Sequence, residues 1–177
     1  MSELSFAFAE FADYPRILEI YNWAVDHSSA TFDMEHQTLQ SKGAWLAAHN
    51  DRYPLIVAKI DNVIIGWASI NQWSTKAAYD GLAEISIYLH PDFHNKGYGT
   101  LLLQYILDLG KSRNFRSLVS QISHTAQASL HIHRQLGFVD TGVLRLAGVK
   151  FGEVVDVLIL QFFYTGLDSI ENLSPQN

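Results

Sequence analysis

Residues 89–103 read Leu-His-Pro-Asp-Phe-His-Asn-Lys-Gly-Tyr-Gly-Thr-Leu-Leu-Leu, which is a strand end, a glycine-rich turn and the start of an apolar helix. Gly97 and Gly99 lack a Cβ, so backbone amides there can face outward and approach a ligand closely. The first turn of a helix has N–H groups without internal partners, and the helix dipole favours negative charge there. The stretch therefore predicts a binding site for phosphate or pyrophosphate. A glycine-containing connection without a ligand is the alternative; His94 and Lys96 beside the two glycines favour the ligand site.

The glycine spacing excludes the commonest nucleotide-binding motifs. A P-loop needs the pattern G-x-x-x-x-G-K-S/T, which residues 89–103 do not contain. The dinucleotide fingerprint G-x-G-x-x-G needs a third glycine where Leu102 stands. The predicted anion site therefore belongs to another class.

Length and composition are typical of one folded domain. The chain has 177 residues, 48% of them apolar, and we expect a domain over residues 1–165 followed by a polar tail over 166–177. The net charge of −6 argues against a nonspecific nucleic-acid binder. Without cysteine, the chain has no disulfide framework, thiol nucleophile or thiolate zinc site. Neither a signal peptide nor an apolar run of about 18–20 residues is visible, so we expect a cytoplasmic protein that binds no membrane.

Apolar periodicity predicts four helices and seven strands in the order β-α-α-β-β-β-α-β-α-β-β. The helices are predicted at residues 13–26, 38–50, 97–113 and 126–136, and the strands at 4–9, 55–60, 63–70, 83–89, 118–122, 138–146 and 154–163. This order predicts an α+β domain on a mixed sheet.

Two segments resemble the GNAT superfamily of N-acetyltransferases. The glycine turn resembles its Q/R-x-x-G-x-G/A acetyl-CoA loop, with His94 in place of Gln or Arg. Residues 129–138, Ser-Leu-His-Ile-His-Arg-Gln-Leu-Gly-Phe, resemble the S-I-x-L-H-E-K-L-G-F segment of the phosphinothricin acetyltransferase-like branch. The resemblance runs from about Phe6 to Gln161 and includes Tyr21, Asn22, Thr31, Phe32, Trp73, Ala78, Tyr79, Asp80, Glu84, Tyr88 and residues 150–157.

The resemblance implies a GNAT fold, with a mixed, mostly antiparallel sheet flanked by helices. It also implies direct transfer of an acetyl group from acetyl-CoA, without a metal, to a small-molecule amine. Members of the branch acetylate the α-amino group of phosphinothricin, methionine sulfone or methionine sulfoximine. They commonly form homodimers, and the late strand over residues 154–163 is expected to contribute to the interface. A CoA-binding sensor and a protein N-acetyltransferase are the alternatives.

The resemblance also implies how acetyl-CoA would be bound. The turn would hold the pyrophosphate on backbone amides, and the preceding strand would pair with the pantetheine arm, provided that it separates from its neighbour in the sheet. The family's Asn at the start of the next helix falls at Ala126, so one contact is missing unless Gln127 or Ser129 replaces it. The expected cofactor-binding residues are Ile87, Tyr88, Leu89, His94, Asn95, Lys96, Gly97, Tyr98, Gly99, Thr100 and Ser129.

Two residues are expected to be catalytic. Partial burial in a strand raises the pKa of a carboxyl group, which suits Glu84 as the base that deprotonates the amine; a solvent-facing strand residue is the alternative. His133 matches the position of a tyrosine that protonates the leaving thiolate in many GNAT enzymes; a helix histidine bonded to a nearby carbonyl is the alternative. A metal site is not expected, because His131 and His133 point to different helix faces.

The substrate is expected to contact two loops. Lys76 corresponds roughly to an Arg of related enzymes and would pair with a substrate carboxylate, although a solvated loop lysine is equally compatible with the sequence. Tyr79 and Asp80 follow in the same loop, and Thr31 and Phe32 would line the opposite wall unless they form an ordinary turn. Gly81 and Val154 stand where related enzymes have Trp, which would widen or reshape the pocket.

Overall fold

The computed structural model describes residues 3–164. In this range the helices are α1 (Tyr14–His27), α2 (Leu39–Ala47), α3 (Tyr98–Ser112) and α4 (Gln127–Gln135), and the strands are β1 (Leu4–Phe8), β2 (Leu55–Ile60), β3 (Val63–Gln72), β4 (Leu82–Leu89), β5 (Ser117–Ser123), β6 (Val139–Lys150) and β7 (Glu153–Phe163). The predicted order of elements is confirmed. The predicted tail over residues 166–177 lies outside the described residues, and the single-domain organisation stays a prediction.

The strands form one mixed sheet in the order β1-β2-β3-β4-β5-β7-β6. β4 and β5 are parallel, and every other neighbouring pair is antiparallel. The expectation of a mixed, mostly antiparallel sheet is confirmed. The β4–β5 pairing covers only Leu82–Glu84, opposite Ser117–Val119. Beyond Glu84, β4 and β5 no longer pair with each other.

Helices cover both faces of the sheet. Successive side chains of a strand point to opposite faces, so one strand contacts the helices on both sides. On β2, Ile56 and Ala58 pack in a buried cluster with leucines of α3 and α4, whereas Leu55 and Val57 pack in a second cluster with α1 and α2. One face is therefore covered by α3 and α4 and the other by α1 and α2. Among residues 3–164, no helix combines the length and apolar character needed to cross a membrane. The cytoplasmic location stays a prediction.

β6 is longer than its apolar pattern predicts and ends at Lys150 rather than Leu146. Its register against β7 shifts between Leu144 and Gly148, and Leu146 has a left-handed φ of 52°. Such an irregularity breaks the two-residue alternation on which the prediction depended. The sequence pattern therefore ends before the strand does.

Candidate active site

The turn between β4 and α3 carries a row of free backbone donors. Within residues 3–164, the backbone N–H groups of residues 95–100 have no protein acceptor. Gly97 caps α3 with a φ of 82°, and a Cβ placed there would meet no atom within 4 Å. The Lys96 Nζ lies 5.5 Å from the centre of the Phe93 ring and adds positive charge beside the donors. The turn therefore has the geometry and charge that bind an anion.

Two residues of the turn hold it against its neighbours. The His94 Nε2 donates to the Leu89 carbonyl oxygen at 3.0 Å, and the His94 ring meets Trp23 edge-on at 5.6 Å. A Cβ at Gly99 would lie 3.3 Å from Leu89 Cδ1 and 3.4 Å from Ile132 Cδ1. His94 thus ties the turn to β4, and Gly99 allows α3 to approach β4 and α4 closely.

A narrow cavity, called the slot below, lies where β4 and β5 separate. Its volume is about 60 Å³. Backbone groups on the facing strand edges have no strand partner beyond Glu84 and are free to pair with a bound chain. The slot is lined by Ala30, Ile85, Ser86, Ile87, Tyr88, Ser120, Ile122, Ser123, Ala126 and Ser129.

A second cavity, called the aromatic cavity, lies between the sheet and the α1–α2 layer and has a volume of about 250 Å³. Trp67 stacks on Tyr88 in its wall with ring centres 4.7 Å apart. Ser86 and Tyr88 line both the slot and the aromatic cavity, so the two cavities meet at β4. The aromatic cavity is lined by Ile17, Leu18, Tyr21, Lys42, Trp45, Trp67, Asn71, Glu84, Ser86 and Tyr88.

Glu84 is the carboxylate of the aromatic cavity. Its Oε1 accepts a hydrogen bond from Gln121 Nε2 at 2.8 Å. Burial raises the pKa of Glu84, and the hydrogen bond from Gln121 opposes this only partly. A half-buried carboxylate with a raised pKa is a stronger proton acceptor than an exposed one. Glu84 can therefore act as a general base where the two cavities meet.

The model of the acetyltransferase (GNAT) family matches residues 17–138. The chain belongs to the GNAT family. It is 35% identical to the L-amino acid N-acyltransferase MnaT of Escherichia coli K12, with 89% of this chain and 92% of that protein covered. It is 32% identical to the L-methionine sulfoximine/L-methionine sulfone acetyltransferase of Salmonella typhimurium LT2, over 89% of this chain and 93% of that protein. The crystal structure of the GNAT phosphinothricin acetyltransferase of Sinorhizobium meliloti in complex with acetyl-CoA superimposes with a TM-score of 0.86 and 28% identity, covering 90% of this chain and 88% of that one.

This GNAT protein is an acetyl-CoA-dependent N-acetyltransferase, and its own residues fit acetyl-CoA. The free N–H groups of residues 95–100 suit a pyrophosphate, and the unpaired edges of the slot suit the two amides of a pantetheine arm. Within residues 3–164, no group of three or more His, Cys, Asp or Glu side chains is placed to hold a metal ion.

The sequence did not indicate a cluster of three hydroxyls around Ser123, which lines the slot. Ser123 Oγ lies 2.8 Å from Ser29 Oγ and 2.9 Å from Thr125 Oγ1. Gln127 Nε2 donates to the His124 carbonyl oxygen at 2.6 Å, so this side chain is already engaged. No local pattern could reveal the cluster, because the turn after α1 brings Ser29 to β5 only in the folded chain.

His133 lies in the core of this GNAT fold and is 0% exposed. Its Nδ1 donates to the Ser129 carbonyl oxygen at 2.8 Å, while its buried Nε2 has no partner within residues 3–164. Burial lowers its pKa to about 4, so at neutral pH the ring is uncharged and Nε2 carries a lone pair. His133 lines neither cavity. These observations favour the helix histidine bonded to a carbonyl; the role of acid stays a prediction without support from them.

Neither Thr31 nor Phe32 lines the aromatic cavity. The Thr31 Oγ1 lies 2.6 Å from the Tyr21 hydroxyl, which donates to Asp33 Oδ2 at 2.7 Å. Thr31 therefore orients a side chain of the cavity wall. Phe32 packs against β6, since a Cβ at Gly148 would lie 2.8 Å from its ring.

Lys76, Tyr79 and Asp80 are exposed in the β3–β4 connection and do not line the aromatic cavity. Asp80 instead pairs with Arg52 at 3.2 Å. The cation of the cavity is Lys42 of α2, which the sequence analysis missed. A signal was present: Lys42 stands one turn before Trp45, on the face by which α2 packs against the sheet.

Arg116 lies beside Gly81, one of the two positions where related enzymes have Trp. A Cβ at Gly81 would overlap the guanidinium group of Arg116, so this arginine occupies the space beside the glycine. Val154 is 53% exposed on β7 and lines neither cavity. Gly81 and Val154 do not line the aromatic cavity, and a reshaping of the cavity by their small side chains stays a prediction.

Proposed function

We propose that this enzyme acetylates the α-amino group of a small amino-acid-like molecule bound in the aromatic cavity. The observation that carries the proposal is the presence of a carboxylate with a raised pKa, Glu84, and a cation, Lys42, in the wall of one small cavity that adjoins the slot. A zwitterionic amino acid offers the complementary pair of charges. The bacterial relatives named above, an L-amino acid N-acyltransferase and a methionine sulfoximine/sulfone acetyltransferase, support this substrate class.

Lys42 is suited to bind the substrate carboxylate. Its Nζ lies 5.2 Å from the centre of the Tyr21 ring and 5.5 Å from that of Trp45. The nearest carboxylate oxygen, Asp33 Oδ2, is 3.8 Å away, which is long for a charge-assisted hydrogen bond. The side chain is 30% exposed. The ammonium group is therefore held in place by two aromatic rings and can still accept a stronger anionic partner.

The size of the aromatic cavity also supports a small substrate. Its volume of about 250 Å³ lies just below the roughly 300–1,000 Å³ typical of sites for drug-sized ligands. An amino acid fits such a volume, whereas a protein tail needs an open groove. The small-molecule reaction is accordingly favoured over acetylation of proteins.

The acetyl donor, acetyl-CoA, is proposed to bind along the slot and the glycine turn through residues that the sequence already indicated. Residues 95–100 and Lys96 bind the pyrophosphate, the β4 edge from Ile87 to Leu89 pairs with the pantetheine arm, and Ser129 contributes from α4. His94 acts by holding the turn rather than by contacting phosphate. Bound acetyl-CoA supplies a thioester carbonyl that an amine can attack.

The chain's own residues then perform the chemistry. Glu84 takes a proton from the substrate ammonium group, directly or through water, and so generates the nucleophilic amine. Lys42 fixes the carboxylate end of the substrate, which turns the amine toward the junction at Ser86 and Tyr88. Burial raises the pKa of Tyr88, so its phenol stays protonated, and its hydroxyl donates to the Ala30 carbonyl oxygen at 3.1 Å. Tyr88 thus forms a fixed wall of the junction.

The proposal is tested with purified protein, acetyl-CoA and a panel of amines. The panel contains L-amino acids, methionine sulfone, methionine sulfoximine, phosphinothricin and the corresponding amino-acid amides, and CoA release is followed. We expect turnover with free amino acids and a much lower kcat/KM with their amides. Turnover of amines without any preference for a carboxylate would contradict the proposed substrate class, and binding of acetyl-CoA without turnover would favour a sensor.

We further propose that the enzyme is a homodimer formed through β6 and the β6–β7 turn. β6 is an edge strand of the sheet, and long unprotected edges favour association. Seven of the exposed large apolar side chains lie on β6, in the β6–β7 turn or at the start of β7: Val139, Val143, Leu144, Leu146, Val149, Phe151 and Val154. A patch of this kind on a monomer is typical of an interaction surface.

A further inference from the structure

His49 connects the aromatic cavity to a separate surface cavity. It follows α2, and its ring lines an outer cavity of about 200 Å³ together with Tyr14 and Asp51. On the other side its Nε2 lies 3.3 Å from Asn71 Oδ1. Asn71 lines the aromatic cavity and stands opposite Glu84 in the β3–β4 register. A histidine outside the cavity therefore contacts an amide beside the proposed base.

The surroundings of the His49 ring fix the position of one proton. Nδ1 lies 3.0 Å from the Trp45 carbonyl oxygen and 3.3 Å from that of Leu46. Carbonyl oxygens only accept hydrogen bonds, so Nδ1 carries a hydrogen in every charge state. Nε2 is consequently a donor in the protonated ring and an acceptor in the neutral ring.

The charge on His49 thereby selects the orientation of the Asn71 amide. A protonated ring requires Oδ1 to face Nε2, whereas a neutral ring requires the NH₂ group there, and the two ends of the amide have nearly the same shape. In the structure Oδ1 faces Nε2, and Nδ2 at the opposite end of the amide donates to Ser69 Oγ at 3.0 Å and to Ser86 Oγ at 3.5 Å, which is the arrangement required by the protonated ring. With neutral His49, Oδ1 faces these hydroxyls and accepts from them; with protonated His49, the NH₂ group donates to them.

We propose that His49 is a positioning residue that acts through Asn71 to set the direction of the Ser86 hydroxyl at the junction of the two cavities. When His49 is neutral, Ser86 donates its hydrogen to Asn71 and presents a lone pair to the N–H of the substrate amine next to Glu84. When His49 is protonated, Asn71 donates to Ser86, whose hydrogen turns toward the amine and opposes its approach. The inference rests on the proposed function, because it assigns a role in binding the amine.

The charges near His49 allow the ring to be neutral at physiological pH. Burial lowers its pKa from the ordinary value. Asp51 and Tyr14 face it in the outer cavity, and Glu84 and Lys42 lie in the aromatic cavity behind Asn71. Within residues 3–164, His49 forms no ion pair with a carboxylate. In the proposed working state the ring is neutral and the Asn71 amide is turned over relative to the orientation in the structure; protonation of His49 restores the orientation in which Oδ1 faces Nε2.

The inference is tested by a double-mutant cycle between His49 and Ser86. His49→Leu is expected to lower kcat roughly five- to tenfold, the effect of one lost hydrogen bond, with the KM for acetyl-CoA unchanged. His49→Gln can still accept from Asn71 and should retain most of the activity. In a Ser86→Ala background, His49→Leu should cause no further loss. His27→Leu is the matched control, since Nδ1 of His27 also bonds a carbonyl one turn back, at Trp23, but its ring lines neither cavity.

The pH dependence and the tautomer give independent measurements. The acid limb of log kcat should be steeper in the wild type than in His49→Gln, because only the wild type loses the Ser86 acceptor as well as the Glu84 base. Nitrogen NMR of labelled histidine should find His49 at pH 7.5 with hydrogen on Nδ1 alone. Superimposable acid limbs, an undiminished His49→Leu defect in Ser86→Ala, or hydrogen on Nε2 at pH 7.5 would each overturn the inference. Absence of turnover with every amine would instead contradict the proposed function, and the NMR result would still decide the state of His49.

Discussion

At the scale of single residues, the chemistry of this enzyme depends on which charged side chains are partly buried and so lose part of their hydration. Glu84 is half-buried, and a carboxylate that has lost part of its hydration holds a proton more tightly. The ammonium group of Lys42 lies near the aromatic rings of Tyr21 and Trp45 in the same cavity. The two groups differ in kind: one is tuned to accept a proton and the other to bind a charge.

Removing the carboxylate of Glu84 tests its role as base. Glu84→Gln keeps the shape and the contact with Gln121, and kcat is expected to fall by roughly 10²–10⁴-fold, the usual contribution of a general base. The wild-type rate should rise with pH through a pKa above the ordinary glutamate value, because only the carboxylate accepts a proton. The raised pKa also means that ionised Glu84 destabilises the folded state as pH rises through it, so the variant should unfold no more easily than the wild type at pH 7. A pH-independent variant with wild-type kcat would exclude the role.

Removing the charge of Lys42 tests the carboxylate site. Lys42→Met keeps the apolar stem and is expected to raise the KM for an amino acid by roughly 10–100-fold, in line with a lost hydrogen bond to a charged group. The KM for the corresponding amide and for acetyl-CoA should not change. Lys76→Met, in the exposed loop, is the matched control. If Lys76→Met has the larger effect on KM, the carboxylate is bound by the β3–β4 connection instead.

The burial of His133 has a consequence for stability. Its pKa is about 4 in the folded state and about 6.5 in the unfolded chain, so the unfolded chain binds more protons between these values. Stability is therefore lost as pH falls from about 6.5 toward 4, by on the order of 3 kcal/mol for this one group. Urea unfolding of the wild type and of His133→Leu at pH 7 and 5 should show a weaker pH dependence in the variant. Equal pH dependence would mean that His133 does not stay neutral.

At the scale of elements, the start of α3 and the separation of β4 from β5 create the proposed acetyl-CoA site. α3 begins at a glycine in the left-handed region, which leaves the backbone donors of its first turn uncapped. β4 keeps its full pairing with β3 up to Leu89 but pairs with β5 only up to Glu84. The sheet therefore stays continuous on one side of β4 and opens on the other side, next to the free backbone N–H groups at the start of α3.

Two glycine substitutions of opposite effect test the conformation of the turn. Gly97→Ala places a Cβ on a backbone with a φ of 82° and should lower the free energy of unfolding by about 1 kcal/mol and weaken acetyl-CoA binding. Gly43→Ala, within α2 and with no atom near its Cβ, should raise that free energy by roughly 0.5–1 kcal/mol. Urea unfolding and calorimetric titration with acetyl-CoA measure both effects. Unchanged affinity in Gly97→Ala would show that the turn tolerates another conformation.

At the scale of the whole molecule, the two faces of the sheet have separate tasks, and its last strand is left unprotected. The α3–α4 face carries the glycine turn and the α1–α2 face carries the aromatic cavity. The slot joins them through the sheet. β6 lies at the edge with its apolar side chains exposed. This exposure is compatible with a stable molecule if a second copy covers it.

Sedimentation tests the homodimer. The wild type should sediment as a dimer at micromolar concentration, and the double substitution Leu144→Glu and Val149→Glu should give a monomer that remains folded, because both side chains are exposed, at 47% and 62%. Val63→Glu, equally exposed at 55% but in the β2–β3 hairpin, is the control and should leave the dimer intact. A wild type that stays monomeric at these concentrations would contradict the proposal.

The sequence by itself determined the order of the elements, the glycine turn at the start of α3 and the resemblance to the GNAT family, because periodicity and turn chemistry are properties of neighbouring residues. It also indicated Glu84, whose flanking apolar residues mark a half-buried strand. Only the tertiary structure decided that β4 separates from β5, that Lys42 rather than Lys76 reaches the aromatic cavity, that His133 is enclosed in the core, and that His49 contacts Asn71. Each of these depends on the register and packing of segments distant along the chain, and no local pattern encodes such contacts.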